Sequence, residues 1–170
     1  MVQSRALTEL EGAVLTEVGC RGNDTAYKVR RAFQTSPSSH WRGSAGAVSP
    51  AIRRLVAVGY LAADPHDSRN GLRLSITDKG AGALSGWAAH LDTACGVGFD
   101  PFRLRAGLWL TLPRDRRKAL FRSLEEALEK DLRKLEQRLE GDSIDRVQTE
   151  LAVALQISRL YWVRRQLSGQ

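Results

Sequence analysis

The 170-residue sequence is poor in cysteine, histidine and long apolar runs, and each shortage excludes a class of protein. Its two cysteines, Cys20 and Cys95, lie far apart without metal-ligand spacing, which argues against a disulfide framework and a zinc site. No segment approaches the roughly 18 consecutive apolar residues of a membrane-spanning helix, and no signal-peptide pattern opens the chain. We therefore expect a soluble cytoplasmic protein that binds no metal.

Recognisable catalytic patterns are also missing. The three histidines are dispersed at positions 40, 66 and 90, without a His-x-x-x-His pair or a serine–histidine–aspartate arrangement. The sequence has no phosphate-binding glycine loop and no indication of a paired-carboxylate pocket. It therefore predicts a binding protein that uses no cofactor, rather than an enzyme.

Positive charge, in contrast, is abundant and unevenly distributed. The formal net charge is +7, and hydrophobic residues make up 42% of the chain, so a folded core is expected. Between residues 27 and 73 there are eight basic residues but only two acidic ones. Charge concentrated in this way favours an anion-binding face, and double-stranded DNA is the anion we expect.

The N-terminal part of the sequence has the periodicity of three helices. Thr8 and Glu11 form a capping box that opens a helix to about residue 19, and a second helix is predicted over about residues 25–35. Residues 40–44 are predicted as a turn anchored by the packing of Trp41.

A third helix is predicted from Ser44 to about Val58, with one apolar stripe. Either Pro50 kinks this helix, which we favour, or the helix begins at Ser49 with Pro50 in its first position. The stripe consists of Val48, Ile52, Leu55 and either Val56 or Val58.

A hairpin and a fourth helix follow. Residues 60–63 and 72–76 are strand candidates, and the turn formers between them include an Asn-Gly pair. The next helix is predicted to begin after Thr77 and to extend to about His90, with Leu84, Trp87 and Leu91 facing inward. Three helices, a hairpin and a trailing helix are the order of a winged helix-turn-helix.

The C-terminal part is predicted to be a helical dimerisation domain. After a glycine-rich joint comes a short apolar helix, then a charged helix over about residues 113–140, and a last helix over about residues 144–167. The charged helix has a narrow leucine seam and the last helix is apolar nearly all round, so a second subunit is the expected cover. We therefore predict a mainly α protein with a winged helix-turn-helix domain over 1–92 and a dimerisation domain over 93–170. The dimer interface is predicted at Leu120, Leu124, Leu128, Leu151, Leu155 and Leu160.

Several local motifs resemble the PadR family of bacterial transcriptional regulators. The resemblance covers about residues 7–91 and is carried by residues 7–11, 26–29, Trp41 with 44–55, 59–61, Arg69 and 77–80. The two long C-terminal helices are similar in kind to the family's dimerisation half. The resemblance implies a repressor that binds a palindromic operator as a homodimer and is released by a small, often aromatic, effector or a stress signal. Ser49 stands where the family usually has tyrosine, and Arg73 and Leu74 replace an aromatic pair of the returning strand.

The candidate DNA-binding residues come from three predicted elements. A helix fits the major groove, where small residues allow close approach and arginine can contact guanine or phosphate. The third helix offers Ser44, Gly46, Ser49, Arg53 and Arg54. The hairpin offers Arg69 and Arg73, and the second helix offers Lys28, Arg31 and Tyr27, the last of which is either a phosphate contact or a core residue.

Two further hypotheses concern regulation. Trp109, Tyr161 and Trp162 are candidates for the aromatic walls of an effector pocket, although aromatic residues at helical spacing also form cores. The alternative is a redox- or protein-partner-responsive regulator of another winged-helix family, such as the MarR type. That protein would have no effector pocket and would use Cys20 or Cys95 as its sensor thiol.

Overall fold

The structure, a computed structural model, describes residues 6–36, 38–65, 72–96, 98, 100–139 and 143–169. The chain divides into two compact units, Met1–Gly96 (unit 1) and Val97–Gln170 (unit 2). In the described part of the chain, no helix combines the length and the apolarity that crossing a membrane requires.

Unit 1 consists of short helices around a small antiparallel sheet. Its elements in chain order are α1 (Glu9–Gly19), α2 (Ala26–Thr35), α3 (Ser39–Ser44), α4 (Val48–Ala57), β1 (Leu61–Pro65), β2 (Leu72–Ile76), α5 (Asp78–Ala88) and α6 (Leu91–Ala94). A 3-10 turn, Ala45–Ala47, joins α3 to α4.

Helix α1 is held at both its start and its outer side. The predicted capping box is confirmed, because Glu11 N–H donates to the Thr8 hydroxyl and Thr8 N–H donates to the Glu11 carboxylate. The Trp87 ring of α5 covers Gly12 so closely that a Cβ there would overlap the ring. Trp87 Nε1 also donates to Glu9 Oε1 at 3.1 Å, so α5 is fastened along α1.

The region from Ser39 to Ala57 differs from its prediction in two ways. The predicted turn is helix α3, because Ser38 caps it and the Trp41 ring anchors it edge-on against Phe33 at 5.5 Å. The predicted long helix beginning at Ser44 is also wrong, since α4 begins at Val48. Pro50 then occupies the third helical position, where a backbone N–H has no intrahelical acceptor.

Strands β1 and β2 form the predicted hairpin with a longer first strand than expected. The register pairs Leu61 with Ile76 and Pro65 with Leu72, so residues 64 and 65 continue the strand rather than opening the turn. Tyr60 precedes the strand and is buried. The predicted turn at residues 66–71, including Arg69 and the Asn-Gly pair, lies outside the described residues.

The core of unit 1 joins α1, α2, α4 and the hairpin. Its fully or nearly buried members are Val14, Leu15, Val18, Val29, Phe33, Ala45, Val48, Ala51, Ile52, Leu55, Tyr60, Leu61 and Leu74. Of the two alternatives for the α4 stripe, Val56 packs against this core and Val58 is exposed. Leu91 was expected to face inward, but it is exposed because α5 ends at Ala88 and α6 begins a new direction.

Unit 2 consists of α7 (Pro101–Leu110), α8 (Arg114–Glu136) and α9 (Ser143–Ser168). Its core is centred on Phe121, Leu128, Leu160 and Val163, which link α8 to α9. Two ion pairs hold the same helices, because the Arg164 guanidinium lies 2.7 Å from Glu125 Oε1 and 2.7 Å from Glu129 Oε1. Arg159 Nη2 contacts Asp100 Oδ1 at 2.6 Å and ties α9 to the residue that caps α7.

Candidate nucleic-acid interface

Helix α4 presents a narrow exposed side beside its buried stripe. Burial of Val48, Ala51, Ile52 and Leu55 turns Arg53 outward, with Ser49 one helical turn before it. In the described part of the chain, the Arg53 guanidinium has no ion-pair or hydrogen-bond partner. It is therefore available to a ligand outside the chain.

A groove of about 590 Å³ brings Arg53 and Ser49 together with the start of α2 and the hairpin. It is lined by Thr25, Ala26, Tyr27, Ser49, Ile52, Arg53, Val56, Ala57, Ala63, Leu72 and Leu74. Three elements that are separate in sequence thus form one continuous surface around the exposed side of α4.

Tyr27 belongs to this surface and not to the core. Its side chain is 65% exposed, which decides between the two roles that the sequence left open. Arg31, one turn further along α2, donates from Nη1 to the Tyr27 hydroxyl at 3.2 Å. The phenol and the guanidinium are therefore positioned together beside α4.

Asp24 connects α2 to the hairpin and collects two of the predicted DNA-binding cations. Its backbone carbonyl accepts from Leu74 N–H at 2.7 Å. Its carboxylate lies 2.7 Å from Lys28 Nζ and 3.4 Å from Arg73 Nε. Lys28 and Arg73 are exposed but partly neutralised, so they contribute less positive potential than their number suggests.

The ionisation of Asp24 follows from these neighbours. The hydrogen bond from Lys28 and the charges of Lys28 and Arg73 lower the pKa of the Asp24 carboxyl below its ordinary value, against an opposing desolvation. Asp24 is therefore an anion at neutral pH, and its negative charge persists within the cationic face.

Arg54 does not share the orientation of Arg53. Its Nε donates to Glu11 Oε1 at 3.2 Å, and the Glu11 side chain is 0% exposed. The Arg54 head group is thus engaged with the buried carboxylate of α1 while its side chain remains 51% exposed, and its DNA contact stays a prediction. This contact links α4 to α1.

Two other predicted DNA-binding residues are placed differently from expectation, and a third cannot be placed. Ser44 ends α3 and its hydroxyl donates to the His40 carbonyl, while Gly46 lies in the 3-10 turn, so neither belongs to α4. Arg69 lies outside the described residues.

The residues that position the interface were not predicted. Glu11 was assigned only to the capping box and Asp24 was given no role at the interface, because their partners Arg54 and Arg73 are distant in sequence. Ala57, which follows Ser49 and Arg53 at helical spacing on the groove, was also missed. Its spacing of four from Arg53 could have identified it.

The aromatic residues proposed for an effector pocket divide into two groups. Trp109 and Trp162 pack with Phe102 and Phe121 in a cluster whose ring centroids lie 4.9–6.5 Å apart, mostly edge to face. Their rings are half-buried and pack against the core of unit 2, and their role in binding an effector stays a prediction. Tyr161 is exposed, with the Arg165 guanidinium 5.9 Å from its ring centroid.

The predicted dimer-interface leucines also divide. Leu128 and Leu160 are buried between α8 and α9 of the same chain, and Leu120 and Leu124 are half-buried. We correct the prediction for Leu128 and Leu160, because a side chain already covered within the chain offers no area to a partner. Leu151 and Leu155 are exposed on α9.

Solved structures share this arrangement of helices and hairpin. Bacillus subtilis PadR in complex with operator DNA matches with a TM-score of 0.76 and 16% identity over 98% of this chain and 100% of that chain. The same protein in complex with p-coumaric acid matches with a TM-score of 0.73 and 16% identity, over 96% of this chain and 97% of that one. The PadR-like transcriptional regulator BC1756 from Bacillus cereus matches with a TM-score of 0.66 and 15% identity, over 99% and 98%.

No protein-family model matches the sequence, and no curated protein matches it significantly. The likeness to the solved structures confirms the predicted fold class, a winged helix-turn-helix followed by long C-terminal helices.

The Glu11–Arg54 pair predicts a loss of stability on substitution. Replacing Arg54 with Ala leaves the buried Glu11 carboxylate without its guanidinium, and we expect the free energy of unfolding to fall by about 1–3 kcal/mol in urea denaturation. In the Glu11→Gln background, the same replacement should have a much smaller effect. Unchanged stability of Arg54→Ala, together with weaker DNA binding, would contradict this assignment.

Asp24 predicts a second, electrostatic effect. Asp24→Asn removes the anion that partly neutralises Lys28 and Arg73, so affinity for any duplex should rise and its salt dependence should steepen, by about 0.9 in log–log slope for each cation released to phosphate. Fluorescence anisotropy titrations over a salt series measure both quantities. Asp131→Asn in α8 removes the same charge from another ion pair and serves as the control. Equal slopes for the two variants would refute the role given to Asp24.

Proposed function

We propose that this chain is a DNA-binding transcriptional regulator in which α4 enters the major groove. The observation that supports this most is the exposed Arg53 guanidinium, which has no partner within the described chain and lies on one groove with Ser49, Tyr27 and Leu72. Arginine pairs with O6 and N7 of guanine through two hydrogen bonds, and small neighbours allow the helix backbone to approach the bases. We assign this role to the domain over residues 1–92.

The cations around α4 then contact the DNA backbone. Lys28, Arg31 and Arg73 are exposed on α2 and β2, the elements that flank the same groove. Contacts of this kind position a protein on the duplex without reading sequence. The neighbour solved with operator DNA, Bacillus subtilis PadR, supports DNA as the partner through its shared fold.

We further propose that the regulator is a homodimer that binds a palindromic operator. On α9, Val147, Leu151 and Leu155 recur at a spacing of four residues and are all exposed, as are Leu104 and Leu108 on α7. Contiguous apolar faces of this kind mark interaction surfaces. A second copy, using residues 93–170, would cover them, and twofold symmetry would present α4 to two half-sites.

Repression and effector release complete the proposal. A regulator bound at its operator blocks access to the DNA, and a small aromatic molecule that acts on the dimer would relieve this block. Support for such an effector comes from Bacillus subtilis PadR, which has been solved with p-coumaric acid. Of the three aromatic candidates, Tyr161 has the exposed ring, and the adjacent Arg165 offers a positive charge to an acidic ligand.

Base recognition by Arg53 predicts a selective loss of affinity. Arg53→Ala should weaken binding to the operator by about 1–3 kcal/mol at fixed salt, because two hydrogen bonds to a base edge are removed. The operator is first obtained by selection from a random duplex library, and affinity is measured by gel-shift titration. Arg53→Lys keeps the positive charge but lacks the two parallel N–H donors of the guanidinium, so this variant should also lose site preference.

The control for Arg53 is Arg133→Ala, which removes one positive charge from an exposed ion pair of α8. It should leave the ratio between operator and non-operator affinity at the wild-type value. A ratio that Arg53→Ala does not change would rule out base reading by this residue.

The exposed face of α9 predicts the oligomeric state. Leu151 is 68% exposed, so Leu151→Glu should leave the fold of each chain intact while placing a charge in the proposed interface. We expect sedimentation velocity to show a dimer for the wild type and mainly monomer for the variant at micromolar concentration. Gln137→Glu, at the C-cap of α8, adds the same charge and should remain dimeric. A dimeric Leu151→Glu protein would place the interface elsewhere.

A further inference from the structure

A second concentration of positive charge lies in unit 2, where α7 is followed by α8. Residues 101–122 contain a single acid, Asp115, but seven basic residues, Arg103, Arg105, Arg114, Arg116, Arg117, Lys118 and Arg122. The proposed DNA-binding face of unit 1 does not include any of them.

Three of these cations lie on one side of α8, at a spacing and a position that are electrostatically unfavourable for the helix. Arg114, Lys118 and Arg122, here called the basic stripe, are separated by four residues each and are all exposed. Like charges at this spacing repel each other, and cations in the first turn face the positive end of the helix dipole. The spacing of these three charges therefore does not stabilise α8.

Many cations in the rest of unit 2 form ion pairs. Beyond residue 122 many of the arginines and lysines have acidic partners, as in the pairs Arg133–Glu129, Lys134–Asp131, Arg146–Glu150 and Arg164–Glu125. Lys118 and Arg122, in contrast, have no ion-pair or hydrogen-bond partner among the residues that the structure describes.

Two neighbouring arginines have a structural role, because they hydrogen-bond to the backbone of the same chain. Arg117 Nη1 donates to the Leu110 carbonyl at 3.0 Å, and Arg105 Nη1 donates to the Pro101 carbonyl at 2.8 Å. Both side chains thus bind backbone carbonyls of α7. Lys118 and Arg122 make no comparable contact within the described residues, so both side chains are available to bind a ligand outside the chain.

We propose that the basic stripe of α8 is a second, sequence-independent contact with the phosphate backbone of double-stranded DNA. Residues at this spacing rise about 6 Å per step along a helix, so the stripe extends over about 12 Å. One DNA strand carries a phosphate about every 3.4 Å of its axis, so this length faces three to four phosphates. Arginine and lysine are the side chains that bind phosphate in proteins. The inference rests on the proposed function, because it takes the duplex as the partner of both units.

The test compares two double variants of the full-length protein that lose the same charge. Lys118→Gln/Arg122→Gln removes the two stripe cations without a partner, whereas Arg133→Gln/Lys134→Gln removes two that are paired with acids. Affinity for a mixed-sequence duplex and for the selected operator is measured by anisotropy over a salt series. Because repulsion within the stripe is relieved, the stripe variant should melt at or above the wild-type temperature.

We expect the stripe variant to bind both duplexes about tenfold or more weakly at moderate salt, with a log–log salt slope that is shallower by about 0.9 for each phosphate that the variant no longer binds. Its preference for operator over mixed sequence should stay at the wild-type value, since the stripe reads no bases. The control variant should keep the wild-type slope.

The outcomes separate this inference from the proposed function. Equal slopes for the two double variants, with Arg53-dependent site preference intact, would overturn the stripe contact and leave the proposed function standing. A shallower slope for the stripe variant alone supports the stripe contact even if Arg53→Ala leaves site preference unchanged. Stripe-dependent binding to vesicles of phosphatidylglycerol and phosphatidylcholine, with the DNA slopes unaltered, would assign the stripe to a lipid surface and overturn the inference.

Discussion

The burial of one side of α4 is the constraint on which the candidate interface depends. Val48, Ala51, Ile52 and Leu55 fill the centre of unit 1, and a helix that buries these positions has no rotational freedom left. Adjacent arginines therefore leave the helix in different directions, Arg53 toward the groove and Arg54 toward the Glu11 carboxylate. The packing of apolar side chains thus directs the Arg53 guanidinium, and not that of Arg54, into the groove.

Two carboxylates organise the positive charge of unit 1. Glu11 is buried and binds Arg54, so its charge is used to orient α4 against α1. Asp24 is more accessible and holds Lys28 and Arg73 where α2 meets the hairpin. A cationic face restrained in this way has a weaker positive potential than its composition suggests.

Unit 2 combines a closed interior with open outer faces. Four aromatic rings, mostly in edge-to-face contact, pack Trp109 and Trp162 against the core, while α9 and α7 expose leucines that the single chain does not cover. The charges are divided in the same way, since cations paired with acids lie along the later part of α8 and the basic stripe lies at its beginning.

The sequence by itself determined most of the longer helices, the hairpin and the buried stripe of α4, because capping, turn formation and hydrophobic periodicity act between residues a few positions apart. It could not determine helix α3, because the packing of Trp41 against Phe33 makes a helix of residues that resemble a turn. It therefore also placed the start of α4 too early. The tertiary structure alone decided that Arg54 pairs with Glu11, 43 residues away, that Tyr27 is exposed, and that Trp109 and Trp162 are packed. Each of these depends on a contact between elements distant in sequence, which no local pattern encodes.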